Sequence, residues 1–498
     1  MSQTQLIHQM QQTEFYHHSV QTPIELLQTH ASSVLLTGAY AYKLKKIVNF
    51  GFLDFSTLGK RNHFLNQELT MNQVIAPEIY LEVLPITQEG EKYILNGTGE
   101  PVEYVLKMRQ FPQENLLINL FNQGKLTENH LVQLGKIIAD FHNQTITNEY
   151  IKNFGTIENI NHSIQDNYRH TEKYVGIIQD PDKFNQIKQF TDHFLIQKQT
   201  TFQQRQQQNK IRECHGDLHL RNLCLWEDKI LLFDRIEFNE EFRFVDVMYD
   251  IAFAVMDLEA RGRKDLGNIL LNTYIEETGD WEGLEILPLY LSRQAYVRAK
   301  VTSFLLDDPA ISETAKQEAA KTAKDYYNLA WQYTQKQQGK LTIMSGLSGS
   351  GKTTIARQIA QQNNAIHIRS DAVRKHLAGI PLNQKGESNI YDQEMTQKTY
   401  QRLLKLGELL TNEGFNVILD AKYDRLKFRQ EVVNLSQEKS LPLEIIYCDA
   451  PLDILTQRLT QRSGDISDAT SDLLAQQQTS FEAFTENEQK YLKIIQQS

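Results

Sequence analysis

The chain has 498 residues, 40% of them apolar and 23% charged, with a net charge of −10. That length makes room for about three folding units, each able to bury its own core, and the acidic balance argues against nucleic acid as a partner of the chain as a whole. Three scattered cysteines (Cys214, Cys224, Cys448) exclude a disulfide framework or zinc cluster, and no run reaches the ~18 apolar residues of a membrane span. The opening MSQTQLIHQMQQTEFYHH has no apolar signal-peptide core, so a cytoplasmic protein is expected.

Residues 1–30 read as an amphipathic helical entry carrying Met10, Phe15, Val20 and Leu26. Strand-like runs at 33–37 and 41–48 follow around a turn at Gly38, and 60–74 has helical periodicity through Phe64, Leu65, Glu68 and Leu69. Two more strands, 80–85 and 102–108, lead into Gln110-Phe111-Pro112, so a small sheet carrying one helix is expected. From there to 335 the pattern is mostly helical. A glutamine-biased stretch, 201–210, reads as a solvated helix or loop, and a compact block at 213–238 interrupts the helices. Residues 336–339 form the natural linker. Beyond it strands at 341–344, 365–368, 416–420 and 443–449 alternate with helices, notably 393–410. Such alternation predicts parallel strands with crossover helices, the doubly wound α/β class.

In the central block, His215-Gly216-Asp217-Leu218-His219-Leu220-Arg221-Asn222 is followed, one apolar strand later, by Asp234. A protein-kinase catalytic loop sets its base aspartate and a metal-binding asparagine five positions apart, and a second metal-binding aspartate follows the next strand. Asp217, Asn222 and Asp234 keep that spacing. Asp217 is expected to accept a hydroxyl proton, while Asn222 and Asp234 hold Mg²⁺ between the phosphates. Upstream, AYKLKK at 41–46 offers a strand lysine for the α/β-phosphates, with Glu68 as its ion-pair partner. Alternation puts Lys43 and Lys45 on one face, and Lys43 is the favoured one.

HGDLHLRN with LLFDRIEF, then RFVDVMYDIA at 243–252, resembles the aminoglycoside phosphotransferase/choline kinase family. The stretch AYKLKKIVNFGFLDFSTLGKR is similar to a bacterial subgroup in which that domain is fused to a phosphate-loop kinase domain. The resemblance implies an α+β bilobal kinase-like fold over 1–335, with a small lobe of about 20–111 and a large lobe of about 112–335. It places ATP between the lobes, against Gly38, Lys43, Glu68, Met108 and Gln110, with 108–111 as the adenine hinge. Two departures stand out. Only Gly38 is present where G-x-G-x-x-G would cover the phosphates, and the third motif is Asp234-Arg235-Ile236, not D-F-G, with no A-P-E after it. Without an activation segment, a small hydroxyl compound is expected as acceptor. Asp246 and Asp250 are expected chiefly to brace the catalytic loop.

After the linker, Gly346-Leu347-Ser348-Gly349-Ser350-Gly351-Lys352-Thr353 lies between a strand and a helix that runs on through Thr354. This is phosphate-loop spacing: backbone amides converge on phosphate oxygens, Lys352 reaches the β/γ-phosphates and the Thr353 hydroxyl binds Mg²⁺. In doubly wound sheets ligands gather at the carboxyl ends of strands. Asp371, closing the second strand, is therefore placed to take a proton from an acceptor hydroxyl, and Arg374, one turn on, to grip an anionic group. Asp420 ends another strand at the Walker-B position, a metal-binding carboxylate. Arg458 and Arg462, at i and i+4 of a later helix, are candidate lid arginines for the migrating phosphoryl group. Residues 340–498 resemble the gluconate, zeta-toxin and polynucleotide 5′-hydroxyl kinases, which share an Asp-x-x-Arg of this type. The resemblance places Asp371 and Arg374 in the acceptor site without choosing the acceptor.

The expected protein is an ATP- and Mg²⁺-dependent tandem phosphotransferase acting on small-molecule hydroxyls, its oligomeric state unspecified. Two alternatives stay open. One half is a non-catalytic ATP-sensing module, or the second half phosphorylates polynucleotide 5′-hydroxyls or nucleotide sugars.

Overall fold

A computed structural model of the protein describes residues 3–309, 311–461 and 464–496. The chain divides into two compact units. One comprises the chain to residue 130 with 144–163 and 206–254; the other comprises 131–143, 164–205 and the chain from 255 onward.

The first unit contains a six-stranded antiparallel sheet in the order β1-β2-β3-β6-β4-β5. Its strands are β1 (Glu25–Gln28), β2 (Ser32–Leu36), β3 (Tyr40–Lys45), β4 (Tyr80–Glu89), β5 (Lys92–Leu95) and β6 (Pro101–Arg109). The predicted helical entry is shorter than expected: it covers Gln3–Met10, and β1 pairs with β2 from Glu25↔Leu36 to Gln28↔Ser33. Four residues with two leucines between Glu25 and Gln28 are too short to show a period, so the neighbouring strand decides their state. Alternation along the strands makes two apolar faces. Leu35, Tyr42, Leu44 and Val105 meet Met10 and Phe15, while Leu36, Ala41, Leu106 and Met108 meet Leu65 of the Leu58–Gln73 helix together with Leu231 and Phe233. That second face fixes where the 213–238 block lies. The block itself is framed by β7 (Ile211–Glu213) paired with β10 (Phe244–Asp246), and by the hairpin of β8 (Leu223–Trp226) and β9 (Lys229–Leu232).

The second unit combines helices, among them Leu287–Phe304 packed on Glu313–Gln332, with a five-stranded sheet in the order β12-β13-β11-β14-β15. Its strands are β11 (Leu341–Ser345), β12 (Ile366–Arg369), β13 (Val417–Asp420), β14 (Leu443–Asp449) and β15 (Leu492–Gln496), each paired parallel to its neighbours. All five residues of β11 are buried, as a central parallel strand requires. The predicted strands fall where periodicity puts them, and β15 is an addition. The glutamine-biased stretch forms the Gln199–Gln207 helix, with Phe202 and Arg205 buried. Among the described residues no helix is long and apolar enough to cross a membrane, and the three cysteines are free and buried.

Arg429 pins the return to β15. It has no exposed surface and donates from Nε to Glu488 at 2.6 Å, and from its two terminal nitrogens to the carbonyls of Tyr423, Glu482 and Ala483 at 3.0–3.1 Å. Glu488 is equally buried and also closes the capping box at Thr485. Arg429→Met leaves that carboxylate buried without its cation, and urea unfolding is expected to show a loss of about 3–5 kcal/mol.

Candidate active sites

The first candidate site lies in the first unit, where β3 faces the 213–238 block. Lys43 Nζ donates to Glu68 Oε1 at 2.7 Å and to Asp234 Oδ1 at 2.6 Å. Burial works against its ammonium, and Asp234 and Glu68 more than offset this, holding it well above the usual lysine value. Lys45, on the same face, donates to the other Glu68 oxygen at 2.7 Å and to Glu237 at 2.6 Å. Burial pushes the Glu68 carboxyl up, but the two lysines bring it down to about 2. Glu237 goes the other way, raised by burial against the pull of Lys45. Sequence reading did not single out Glu237, because nothing in its local pattern separates it from a surface glutamate.

Asp217 accepts from Asn222 Nδ2 at 2.9 Å, and His219 Nε2 lies 3.4 Å from the same oxygen. Asp250 braces the loop: it accepts from the His215 and Gly216 amides at 3.0 and 2.8 Å. The Asp246 carboxylate accepts from the Met248 amide at 2.8 Å, two residues along its own chain, so that bond caps the following helix and does not reach the loop. Gly216 has φ +85°, and a Cβ there would meet the Phe242 carbonyl at 2.7 Å, so only glycine fits the turn. His215 Nε2 donates to the Phe233 carbonyl at 3.0 Å and Nδ1 accepts from the Asp217 amide at 3.3 Å. These bonds need the neutral Nε2–H tautomer, and burial lowers its pKa accordingly. Asn222 O accepts from the Phe233 amide at 3.1 Å, which brings the asparagine beside the strand leading to Asp234.

Arg235 explains the departure from D-F-G. It is buried, donates from Nε to the Cys214 carbonyl at 2.8 Å and from its terminal nitrogen to the Glu213 carbonyl. The guanidinium thereby ties the third motif to the strand that leads into the catalytic loop. Gly38 and Gln110 meet as well: the Gly38 amide donates to Gln110 Oε1 at 2.8 Å. Met108 is buried in β6, opposite Ala41.

The second site lies at the carboxyl ends of the parallel strands. Gly346 has φ +135°, and a Cβ there would stand 2.4 Å from the Cys448 carbonyl, so the loop can leave β11 only through a glycine. Residues 346–351 then bend back into the Lys352–Asn363 helix. Leu347 packs on Leu455, Leu459 and Leu474. Ser348 donates its amide to Gln477 Oε1 at 3.0 Å, and Gly349 passes close to the Leu455 carbonyl. Among the described residues the Ser350 hydroxyl is buried without a hydrogen-bond partner. Lys352 Nζ donates to the carbonyls of Gly346 and Leu347 at 2.9 and 2.7 Å, and burial lowers its pKa. Thr353 donates to Asp420 Oδ2 at 2.7 Å, whereas Thr354 is exposed on the same turn.

Asp420 also takes a bond from His367 Nε2 at 3.0 Å. Burial raises the Asp420 pKa, but His367, Arg369 and Lys352 bring it down to about 2, so it stays a carboxylate. Asp371 is the opposite case: burial raises its pKa despite Arg369, Arg374 and a bond from Ser467. Arg374 is buried, donates to the Ile390 carbonyl at 3.0 Å and stacks on Tyr391 at 5.1 Å, with its Nε unpartnered among the described residues. Arg458 lies on the Leu452–Gln461 helix; Arg462 falls outside the described residues. Sequence reading missed His367 and Arg369, although both sit on β12 in the four residues before Asp371.

The donor sets of both sites suit a hard cation. Asn222 and Asp234 in one, and Thr353 and Asp420 in the other, offer oxygen ligands of the kind Mg²⁺ takes. The unpartnered Ser350 hydroxyl and the glycine-turned amides fit a phosphate group.

Residues 341–484 match a family model described as an AAA domain. The chain is similar to an uncharacterized protein of Mycobacterium tuberculosis, 28% identical over 456 residues that cover 91% of this chain and 89% of that one. It is also similar to an adenylyl-sulfate kinase of Myxococcus xanthus, 29% identical over 121 residues, which are 24% of this chain and 63% of the kinase. Among solved structures, the GDP complex of aminoglycoside 2′-phosphotransferase-IIIa aligns with a TM-score of 0.42 and 13% identity, over 65% of this chain and 98% of that one. Sites and relatives define the class: a phosphotransferase with an alcohol group as acceptor.

Because burial lifts Asp371, turnover that depends on its ionised form is lost on acidification at a higher pH than an ordinary aspartate would allow. Arg374→Gln removes a charge that favours the carboxylate. The acid limb of the pH–rate profile is expected to move further upward in that variant.

Proposed function

We propose that the chain is an ATP- and Mg²⁺-dependent tandem phosphotransferase, with one kinase in residues 1–335, a linker at 336–339 and a second kinase in 340–498. Each pocket transfers the terminal phosphoryl group of ATP to a hydroxyl of a small molecule. In the first, Asp217 takes the hydroxyl proton, Lys43 binds phosphate oxygens while Glu68 holds it in place, and Gly38, Met108 and Gln110 line the nucleotide's bed. In the second, Asp371 takes the proton, Arg374 grips an anionic group of the acceptor, and residues 346–354 cradle the phosphates. Lys352 follows the terminal phosphoryl group, and Arg458 and Arg462 are assigned to its charge in the transition state. Asn222 with Asp234, and Thr353 with Asp420, would hold Mg²⁺. When bound, the ion neutralises the phosphates and orients the terminal group for in-line displacement.

One observation carries this reading. Each site gathers a lysine, a metal-type carboxylate and a candidate base: in the first the Lys43–Asp234 and Asp217–Asn222 pairs, linked through the Phe233 amide on the Asn222 carbonyl, and in the second Thr353–Asp420 with Lys352 and Asp371 near enough to interact. Phosphoryl transfer is mainly positioning and charge neutralisation, so such a set is what the chemistry requires.

The test is a screen of a metabolite extract for products labelled from γ-³²P-ATP by the full chain. Asp217→Asn and Asp371→Asn are each expected to abolish a different subset of products, with rates reduced about 10²–10⁴-fold. A double variant that still makes every product would overturn the assignment.

A further inference from the structure

Strand β12 is an edge strand, paired with β13 on one side only. Its other side is met by the Lys264–Thr278 helix, from the helical part of the same unit. Asn272 Nδ2 donates to the Ala365 carbonyl at 3.0 Å, and Asn272 Oδ1 accepts from the His367 amide at 2.7 Å. Asn268, one turn earlier and buried, adds a second donor to the Ala365 carbonyl at 2.9 Å. A residue of a neighbouring parallel strand would make the same two bonds, to the carbonyl before residue 366 and the amide after it. The Asn272 carboxamide thus takes the place of a sixth strand.

One turn further along the same helical face, Glu276 Oε1 lies 3.6 Å from Arg369 Nη1, and the Glu276 carbonyl accepts from His376 Nε2 at 2.7 Å. The two β12 residues held in this way are the ones that reach the second pocket. His367 bonds to Asp420, and Arg369 stands near enough to Asp371 to favour its charged form. Arg369 is otherwise paired with Asp465, from the segment that follows the Leu452–Gln461 helix. Without Glu276, the guanidinium has one anion fewer to hold it off the Asp371 carboxylate.

We propose that the Lys264–Thr278 helix is a working part of the phosphate-loop kinase, in which Asn272 and Glu276 are positioning residues. Asn272 sets His367 against the metal-binding carboxylate, and Glu276 keeps Arg369 beside the acceptor-side base without neutralising it. The second kinase therefore begins, in physical terms, well before the linker at 336–339. This inference rests on the phosphate-loop reading above.

The test uses the full chain carrying Asp217→Asn, so that remaining turnover belongs to the second pocket, with Mg²⁺-ATP as the probe and phosphate release as the readout. Lys352→Ala in that background checks the underlying reading: if turnover persists, that reading falls and the inference with it. If Lys352→Ala abolishes turnover, Glu276→Gln and Asn272→Asp are each expected to lower kcat about tenfold, as loss of an outer hydrogen-bond partner does. KM for ATP should be unchanged in both, the thermal midpoint should be unchanged in Glu276→Gln, and Glu276→Asp should restore most of the rate. Unchanged kcat in both variants, or a rate loss that tracks a falling thermal midpoint and is not rescued by Glu276→Asp, overturns the inference alone.

Discussion

Glu68 has no exposed surface, yet each of its carboxylate oxygens carries a lysine ammonium at 2.7 Å. Lys43 and Lys45 stand two residues apart on β3, and each continues to a second carboxylate, Asp234 and Glu237, at 2.6 Å. The short segment after β9 is stitched to the sheet by this pair of bridges, and the position of Asp234 follows from it. Removing a buried charge from water costs several kcal/mol unless it is fully paired, so deleting any one member strands another. Two lysines face three carboxyl groups, and burial pushes one of these, Glu237, toward its neutral form. The most exposed of the three is Asp234, with 42% of its side chain exposed, and that is the group assigned here to a divalent cation.

The second pocket meets the same constraint by other means. Asp420 is held ionised by a hydroxyl, an imidazole and nearby cations, and among the described residues it forms no salt bridge to a lysine or arginine. Asp371, with two arginines near it, is nevertheless pushed toward its neutral form by burial. Two carboxylates at the ends of parallel strands thus differ in proton affinity. The difference suits one to a cation and the other to a hydroxyl proton.

Much of this was legible in the sequence because the chemistry constrains the backbone. Gly346 and Gly216 sit where a Cβ would strike a carbonyl, so the glycine spacing reports loop shape directly. The five-residue step from Asp217 to Asn222 is spanned by two hydrogen bonds from Asn222 Nδ2, to the Asp217 carbonyl at 3.0 Å and to Asp217 Oδ2 at 2.9 Å, and spacing alone could find it. Lys43 and Lys45 could not be separated that way. Alternation puts both on one face, and both in fact meet Glu68; their second partners, Asp234 for Lys43 and Glu237 for Lys45, distinguish them. Strand β15 escaped notice because its exposed edge keeps only part of an apolar pattern. Glu237, His367, Arg369 and Glu276 take their roles from partners far away in the chain, and no local signal marks them. The substitution of Arg235 for the usual phenylalanine was visible, but its meaning depended on which carbonyls it reaches.

The central claim is that one polypeptide presents two independent triphosphate pockets. Calorimetric titration of the full chain with a non-hydrolysable ATP analogue and Mg²⁺ tests it most directly. Two nucleotides bound per chain are expected, one lost in Lys352→Ala and the other in Lys43→Met. A single nucleotide per chain, or the same one lost in both variants, would contradict it.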